Sequence, residues 1–269
     1  MKISYYAARI LIGATTAWIG AAVVIWLFGE PWFTGFDELV SISFVSLMII
    51  ASLALAGIFL LLLGSTYNFT STMGKVWMLL GIGVFLWLVG EFIFFMYDLQ
   101  GIEPFPSIAD YFYYAAYGPI AAGLIIQVRL LKVKLKGLEA TIIVIISVLS
   151  GLTISYFVLW PAFASFIEAP YDPIVLIAGT MYTVLDIVLL IFVYVVSAKL
   201  RHGKINAAWI LVLVGLVMTT VADSLYWIAD FNGIDITFNW YDLAFIISYL
   251  LIVMGAIKGI NIISTTFST

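Results

Sequence analysis

DLQGIEPFPSIAD (98–110) and DFNGIDITFNWYD (230–242) are two short acidic stretches, each set between long apolar runs. Asp, Gly, Ile and Asp recur in them at the same places, 132 residues apart. Working outward in that register, 77–130 aligns with 209–262 without a gap. Identities include Trp77 with Trp209, Gly83 with Gly215, Asp98 with Asp230, Gly101 with Gly233, Asp110 with Asp242, Tyr117 with Tyr249 and Gly123 with Gly255. Glu91 matches Asp223, acid with acid. Each copy reads as a helix, a tight acidic hairpin and a second helix.

The flanking runs decide the solvent. Of 269 residues, 65% are apolar and only 10% charged, and the mean hydropathy is +1.20. Soluble domains carry roughly 25% charged residues, so this chain cannot cover a water-facing surface and is read as an all-α integral membrane protein. Eight windows reach the ~20 apolar residues that a spanning helix needs: about 5–28, 40–64, 77–98, 108–131, 139–162, 172–198, 207–230 and 240–263. The first continues past Val23 to Phe28, too long for the apolar core of a signal peptide, and is read as a spanning helix. The loops are short, and no appended output module is expected.

Charge sets the orientation. All eleven bases fall on one side of an eight-span chain: Lys2, Arg9, Lys75, Arg129, Lys132, Lys134, Lys136, Lys199, Arg201, Lys204 and Lys258. The opposite side holds Glu30, Asp37, Glu38, Asp98, Glu103, Asp110, Glu168, Asp172, Asp230, Asp235 and Asp242. Positive loops stay in the cytoplasm, so both termini are predicted inside, in the cell membrane. The 132-residue offset spans four helices, an even number. Two parallel four-helix repeats follow, 1–132 and 133–269, related by an axis along the membrane normal.

Several hairpin residues have local roles. Gly101 and Gly233 follow a helix's last turn, where a left-handed residue closes the end. Ser107 with Asp110 fits a capping box, and Asn239 with Asp242 fits the same role. Other acids are harder to place. Asp98 and Asp230 sit in a last turn, where the helix dipole opposes negative charge. Glu91 and Asp223 lie seven residues earlier, ~10 Å deeper on the same faces, where ionisable groups are functional candidates. Asp186 is deeper still, and its counterpart is Ala54, so it breaks the repeat. Tyr182, one turn before it, is an expected donor to it. Tyr114 and Tyr117 share a face with Asp110, and Trp227 stands near Asp223. Acids among aromatics are a means of holding organic cations. The expected cavity lies between the third, fourth, seventh and eighth helices.

Other chemistry is poorly supplied. Cysteine is absent and His202 is the only histidine, which excludes disulfides, thiolate metal sites and His clusters. No cofactor, no metal and no nucleic-acid partner are expected, and an enzyme is the least favoured class. Lys258 sits too near the cytoplasmic end to suggest a retinal-type Schiff base.

Gly90, Glu91, Pro104, Phe105, Pro106, Ser107, Ala109, Asp110, Phe112, Tyr113 and Tyr117 together resemble a segment of a known family. This is the family of multi-helix N-terminal membrane sensor domains found on bacterial diguanylate cyclases, phosphodiesterases and some histidine kinases. Tyr182 and Asp186 resemble a further step of that domain, with Thr183 where a proline is expected, and Asp223 with Tyr226 a third. The resemblance implies a sensory, ligand-binding domain, here without its output domain. Two functions therefore stand open. One is a sensor that binds a small molecule or cation from outside and signals through a cytoplasmic partner docked on 129–136 and 199–204, or through a homo-oligomer. The other is a proton- or cation-coupled transporter.

Overall fold

The computed structural model describes residues 5–28, 38–102, 105–132, 137–168, 172–200, 205–232 and 238–266. Lys2, Glu30, Asp37, Glu103, Pro104, Lys134, Lys136, Arg201, His202, Lys204, Gly233 and Asp235 lie outside these residues. Among the described residues the protein is wholly helical, with no strand. The helices are α1 (Tyr5–Phe28), α2 (Glu38–Thr66), α3 (Thr72–Asp98), α4 (Ile108–Leu130), α5 (Leu138–Glu168), α6 (Pro173–Lys199), α7 (Asn206–Phe231) and α8 (Trp240–Thr266). Long apolar runs form helices because only a helix satisfies its own backbone in lipid.

Seven of the eight are long and apolar enough to cross a membrane. The exception is α4, and the shortfall is one of polarity. Its 23 residues reach about 34 Å, but Tyr111, Tyr113, Tyr114, Tyr117, Gly118, Pro119 and Gln127 dilute its hydropathy. Tyr113, Tyr114 and Tyr117 belong to the site described below.

Six helices close a circuit: α2 packs on α3, α3 on α4, α4 on α6, α6 on α7, α7 on α8 and α8 on α2. Within it α3 meets α7 at Trp77 and Trp209, whose ring centroids are 4.1 Å apart. Each of these residues packs, with rings tilted by 31°, on its own equivalent at the 132-residue offset. The two hairpins also repeat each other contact for contact. A Cβ on Gly83 would lie 2.3 Å from Ile120 Cγ1 and 2.9 Å from the Ala116 carbonyl oxygen. A Cβ on Gly215 would lie 2.6 Å from Ile252 Cγ1 and 2.7 Å from the Ser248 carbonyl oxygen. Only hydrogen at these positions lets α3 approach α4, and α7 approach α8, so closely.

The turns follow local chemistry. Gly101 adopts φ +63, and the Ile102 N–H reaches back to the Tyr97 carbonyl, closing α3 as expected. Ser107 and Asp110 form a complete capping box on α4. Asp242 accepts the Asn239 N–H at 2.7 Å on α8.

The circuit is tighter on one side. Gly57 on α2 faces the Phe85 ring and Gly81 on α3 faces Leu61, each at under 3 Å from an added Cβ. At the equivalent places α6 carries Leu189 and α7 carries Leu213. These bulkier side chains hold α6 less closely to α7 than α2 is held to α3. The outer helices also differ. α1 lies on α8, and the 132-residue offset would seat α5 equivalently on α4. Instead the main neighbour of α5 is α6, and its π turn at Ser155–Leu159 touches α7. The π turn precedes Pro161, which has no N–H and displaces the carbonyl four residues back. Two links fix α5 to α6: Lys199 pairs with Glu139, and the Ser150 and Tyr194 hydroxyls are 2.9 Å apart.

Candidate functional site

The loosened side of the circuit carries the polar groups. α4 presents tyrosines at 113, 114 and 117, roughly one helical face, over Asp110 in its first turn. α6 presents Tyr182 and Asp186, one turn apart. Asp186 stands at the middle residue of α6, about 20 Å along it. α7 contributes Thr220, Asp223 and Trp227, and α3 contributes Glu91.

Hydrogen bonds tie these helices together. The Tyr182 hydroxyl donates to Asp110 Oδ1 at 2.6 Å, while the second oxygen of Asp110 accepts the Ser107 N–H. Asp110 therefore caps α4 and anchors α6 at once. The Tyr117 hydroxyl donates to Asp186 Oδ1 at 2.7 Å, and the Thr220 hydroxyl approaches the same atom at 3.4 Å. Tyr114 donates to the Ala178 carbonyl at 3.0 Å. Tyr113 donates to Glu91 Oε2 at 2.9 Å. Asp110 and Asp186 are almost wholly enclosed, at 7% and 3% exposure, and Glu91 and Asp223 are partly buried.

The expected donation from Tyr182 to Asp186 does not occur. A helical side chain leans toward the N-terminus of its helix. From α6 that direction leads Tyr182 up to the first turn of α4 and away from Asp186, one turn below. Asp186 takes its donors from α4 and α7 instead. The convergence is thus of α3, α4, α6 and α7, with Asp242 and Tyr249 of α8 beside Glu91.

Aromatic rings fill the space beside the acids. Tyr182 lies 4.5 Å from Tyr114 and 6.4 Å from both Tyr113 and Trp227, centroid to centroid. Trp227 packs edge-on against Phe105 at 5.2 Å and covers Gly179, where a Cβ would meet its ring at 3.2 Å. Deeper in, Asp223 lies within electrostatic reach of Asp186 and Glu91. Glu91 also feels Asp98, and Asp242 feels both. The carboxyl groups form a graded series from the helix ends to the middle of α6. Asp230 is exposed at the end of α7.

Four contributors were not foreseen as site residues: Tyr113, Thr220, Phe105 and Tyr249, the last lying near Glu91 and Asp223. Tyr249 was signalled by its identity with Tyr117 across the repeat, and Tyr113 by its replacement with Phe245 in the second copy. Phe105 was marked only as part of the resembling segment, and nothing in the sequence marks Thr220.

Among the described residues no three acidic or histidine side chains converge as a metal site. Two concavities lie elsewhere. One is an apolar groove between α5 and α6 lined by Phe163, Leu176, Ile177 and Met181. The other is a basic pocket between the ends of α3 and α4. No protein-family model, no curated protein sequence and no solved structure matches the chain.

Proposed function

We propose that this is an eight-span membrane protein of two parallel four-helix repeats, with both termini cytoplasmic, working as a sensory ligand-binding module. Its ligand is a small organic or amphipathic cation that enters from outside. The observation that carries the reading is the pair of bonds Tyr182–Asp110 and Tyr117–Asp186, which join α4 to α6 across one of the two loosest seams of the circuit. Neither Asp186 nor Tyr113 has an equivalent in the other copy, where Ala54 and Phe245 stand. The polar site draws on both copies where they differ.

The chemistry favours a cation. Glu91, Asp186 and Asp223 have tyrosines, a threonine and one another as neighbours. The bases among the described residues lie toward the opposite helix ends. Adjacent carboxyl groups in a low-dielectric interior require protons or a cation for balance. Tyrosine and tryptophan faces add attraction for an organic cation. In the described arrangement Tyr182 fills the space, so a ligand displaces its hydroxyl from Asp110 and frees α6 from the head of α4. A cytoplasmic partner at the basic loops, or a second copy, reads that movement. The resemblance to the membrane domains of bacterial cyclases, phosphodiesterases and kinases agrees with this role.

A coupled transporter is the second reading, favoured by the staggered depth of the acids. Thermal-shift titration of the purified protein with tetraphenylphosphonium and smaller ammonium ions tests the site. Stabilisation by these ions, abolished in the Glu91→Gln/Asp223→Asn double variant, supports it. Equal stabilisation in the double variant removes both acids from the site. Proteoliposomes that accumulate the ion would assign transport instead. Asp186→Asn is expected to fold and to lose the ligand response; failure to fold would make Asp186 structural only.

A further inference from the structure

We propose that the pocket between the start of α3 and the end of α4 binds an anionic phospholipid through its headgroup phosphate. The pocket measures about 460 Å³ and is lined by Thr72, Lys75, Ile126, Arg129, Leu130 and Lys132. Three of these six are bases and none is an acid. No hydrogen bond or ion pair among the described residues engages the side chains of Lys75, Arg129 or Lys132. Lys199 shows the contrast, since its ammonium is neutralised by Glu139. Three converging unneutralised cations repel one another and gain by accepting a shared anion. The start of α3 and the end of α4 both border this wall, so their dipoles oppose and the field there is that of the three bases.

The remaining wall separates a lipid from a soluble phosphate. Ile126 and Leu130 continue the apolar surface of α4, and Leu130 is 42% exposed. A free phosphate leaves that surface wet, whereas a phospholipid places its phosphate among the bases and its acyl chains along the helix. Basic pockets between spanning helices at the cytoplasmic face suit anionic headgroups. Nor is the pocket a by-product of the repeat. At the 132-residue offset Lys75, Arg129 and Lys132 become Ala207, Asn261 and Ser264. An orientation signal needs bases in the loop but has no need to gather them around a cavity.

Native mass spectrometry of the purified full chain, offered phosphatidylglycerol and phosphatidylcholine, reads the proposal directly. Phosphatidylglycerol is expected to be retained preferentially. Each of Lys75→Gln, Arg129→Gln and Lys132→Gln should weaken that retention by about fivefold, the effect of one base near an anionic surface. Arg129→Lys should keep most of it. Lys258→Gln, a base outside the pocket, should change it little. Equal retention of both lipids overturns the proposal, as does loss of preference in Lys258→Gln equal to that in Arg129→Gln. So does inorganic phosphate that competes phosphatidylglycerol away at millimolar concentration, which would make the pocket a soluble-anion site. If the triple variant fails to fold, the single variants still decide.

Discussion

Tyr117 and Tyr182 make chemically similar bonds with different consequences. Asp110 keeps the Ser107 N–H when Tyr182 is lost, because the capping box is local to α4. Asp186 keeps only Thr220, at 3.4 Å, when Tyr117 is lost. A buried acceptor left short of donors costs about 1–3 kcal/mol, whereas an average interhelical bond in a membrane is worth about 0.6 kcal/mol. Tyr117→Phe should therefore lower unfolding stability by about 1–3 kcal/mol, and Tyr182→Phe by about 0.6 kcal/mol. Unfolding in mixed micelles measures both, and a larger loss in Tyr182→Phe would reverse the assignment. The acids themselves were legible from the sequence, because a carboxylate in an apolar run stands out. Their partners were not. Hydropathy reports depth along a helix and says nothing about which neighbour a tyrosine reaches. The error over Tyr182 and Asp186 arose there, since proximity in sequence was taken for proximity of side-chain tips.

Among the helices, close approach is set by single hydrogens. Gly83→Val and Gly215→Val each drive a branched side chain into the opposite backbone carbonyl, and overpacking costs about 1–3 kcal/mol or more. Similar losses at the two sites are expected, because the contacts match residue for residue. Gly118→Ala provides the comparison: nothing lies within 4 Å of its added Cβ, so thermal stability should change by less than about 0.5 kcal/mol. A marked loss in Gly118→Ala, or none in Gly215→Val, would refute the packing. Element boundaries were largely readable because caps and turn glycines are local: Ser107 and Gly101 mark their helix ends by chemistry alone. The π turn of α5 and its seat on α6 were not. Pro161 was visible, but a helix that is apolar all round carries no stripe to say which neighbour it faces.

For the whole molecule, the absence of cysteine makes single-cysteine labelling direct. Gln100, in the exposed turn after α3, and Thr70, in the exposed turn before it, stand at opposite ends of one spanning helix. Thiol reagents that cannot cross the membrane should label Gln100→Cys in intact cells, and Thr70→Cys only after permeabilisation. The opposite pattern would invert the topology, and labelling of both from outside would deny that α3 crosses. The sequence register of the two hairpins is ungapped over 54 residues. What the repeat could not foretell is where the halves diverge. Leu189 and Leu213 in place of glycines, Asp186 in place of alanine and α5 seated on α6 are each ordinary residues or contacts taken singly. Only their convergence on one side of the circuit gives them meaning.

The Trp77–Trp209 contact has one more implication. A side chain that packs on its own equivalent forms an isologous contact, the kind found on the dyad of a homodimer. The two hairpins are therefore tied at a shared point, and removing either ring leaves the other without its partner at the centre of the bundle.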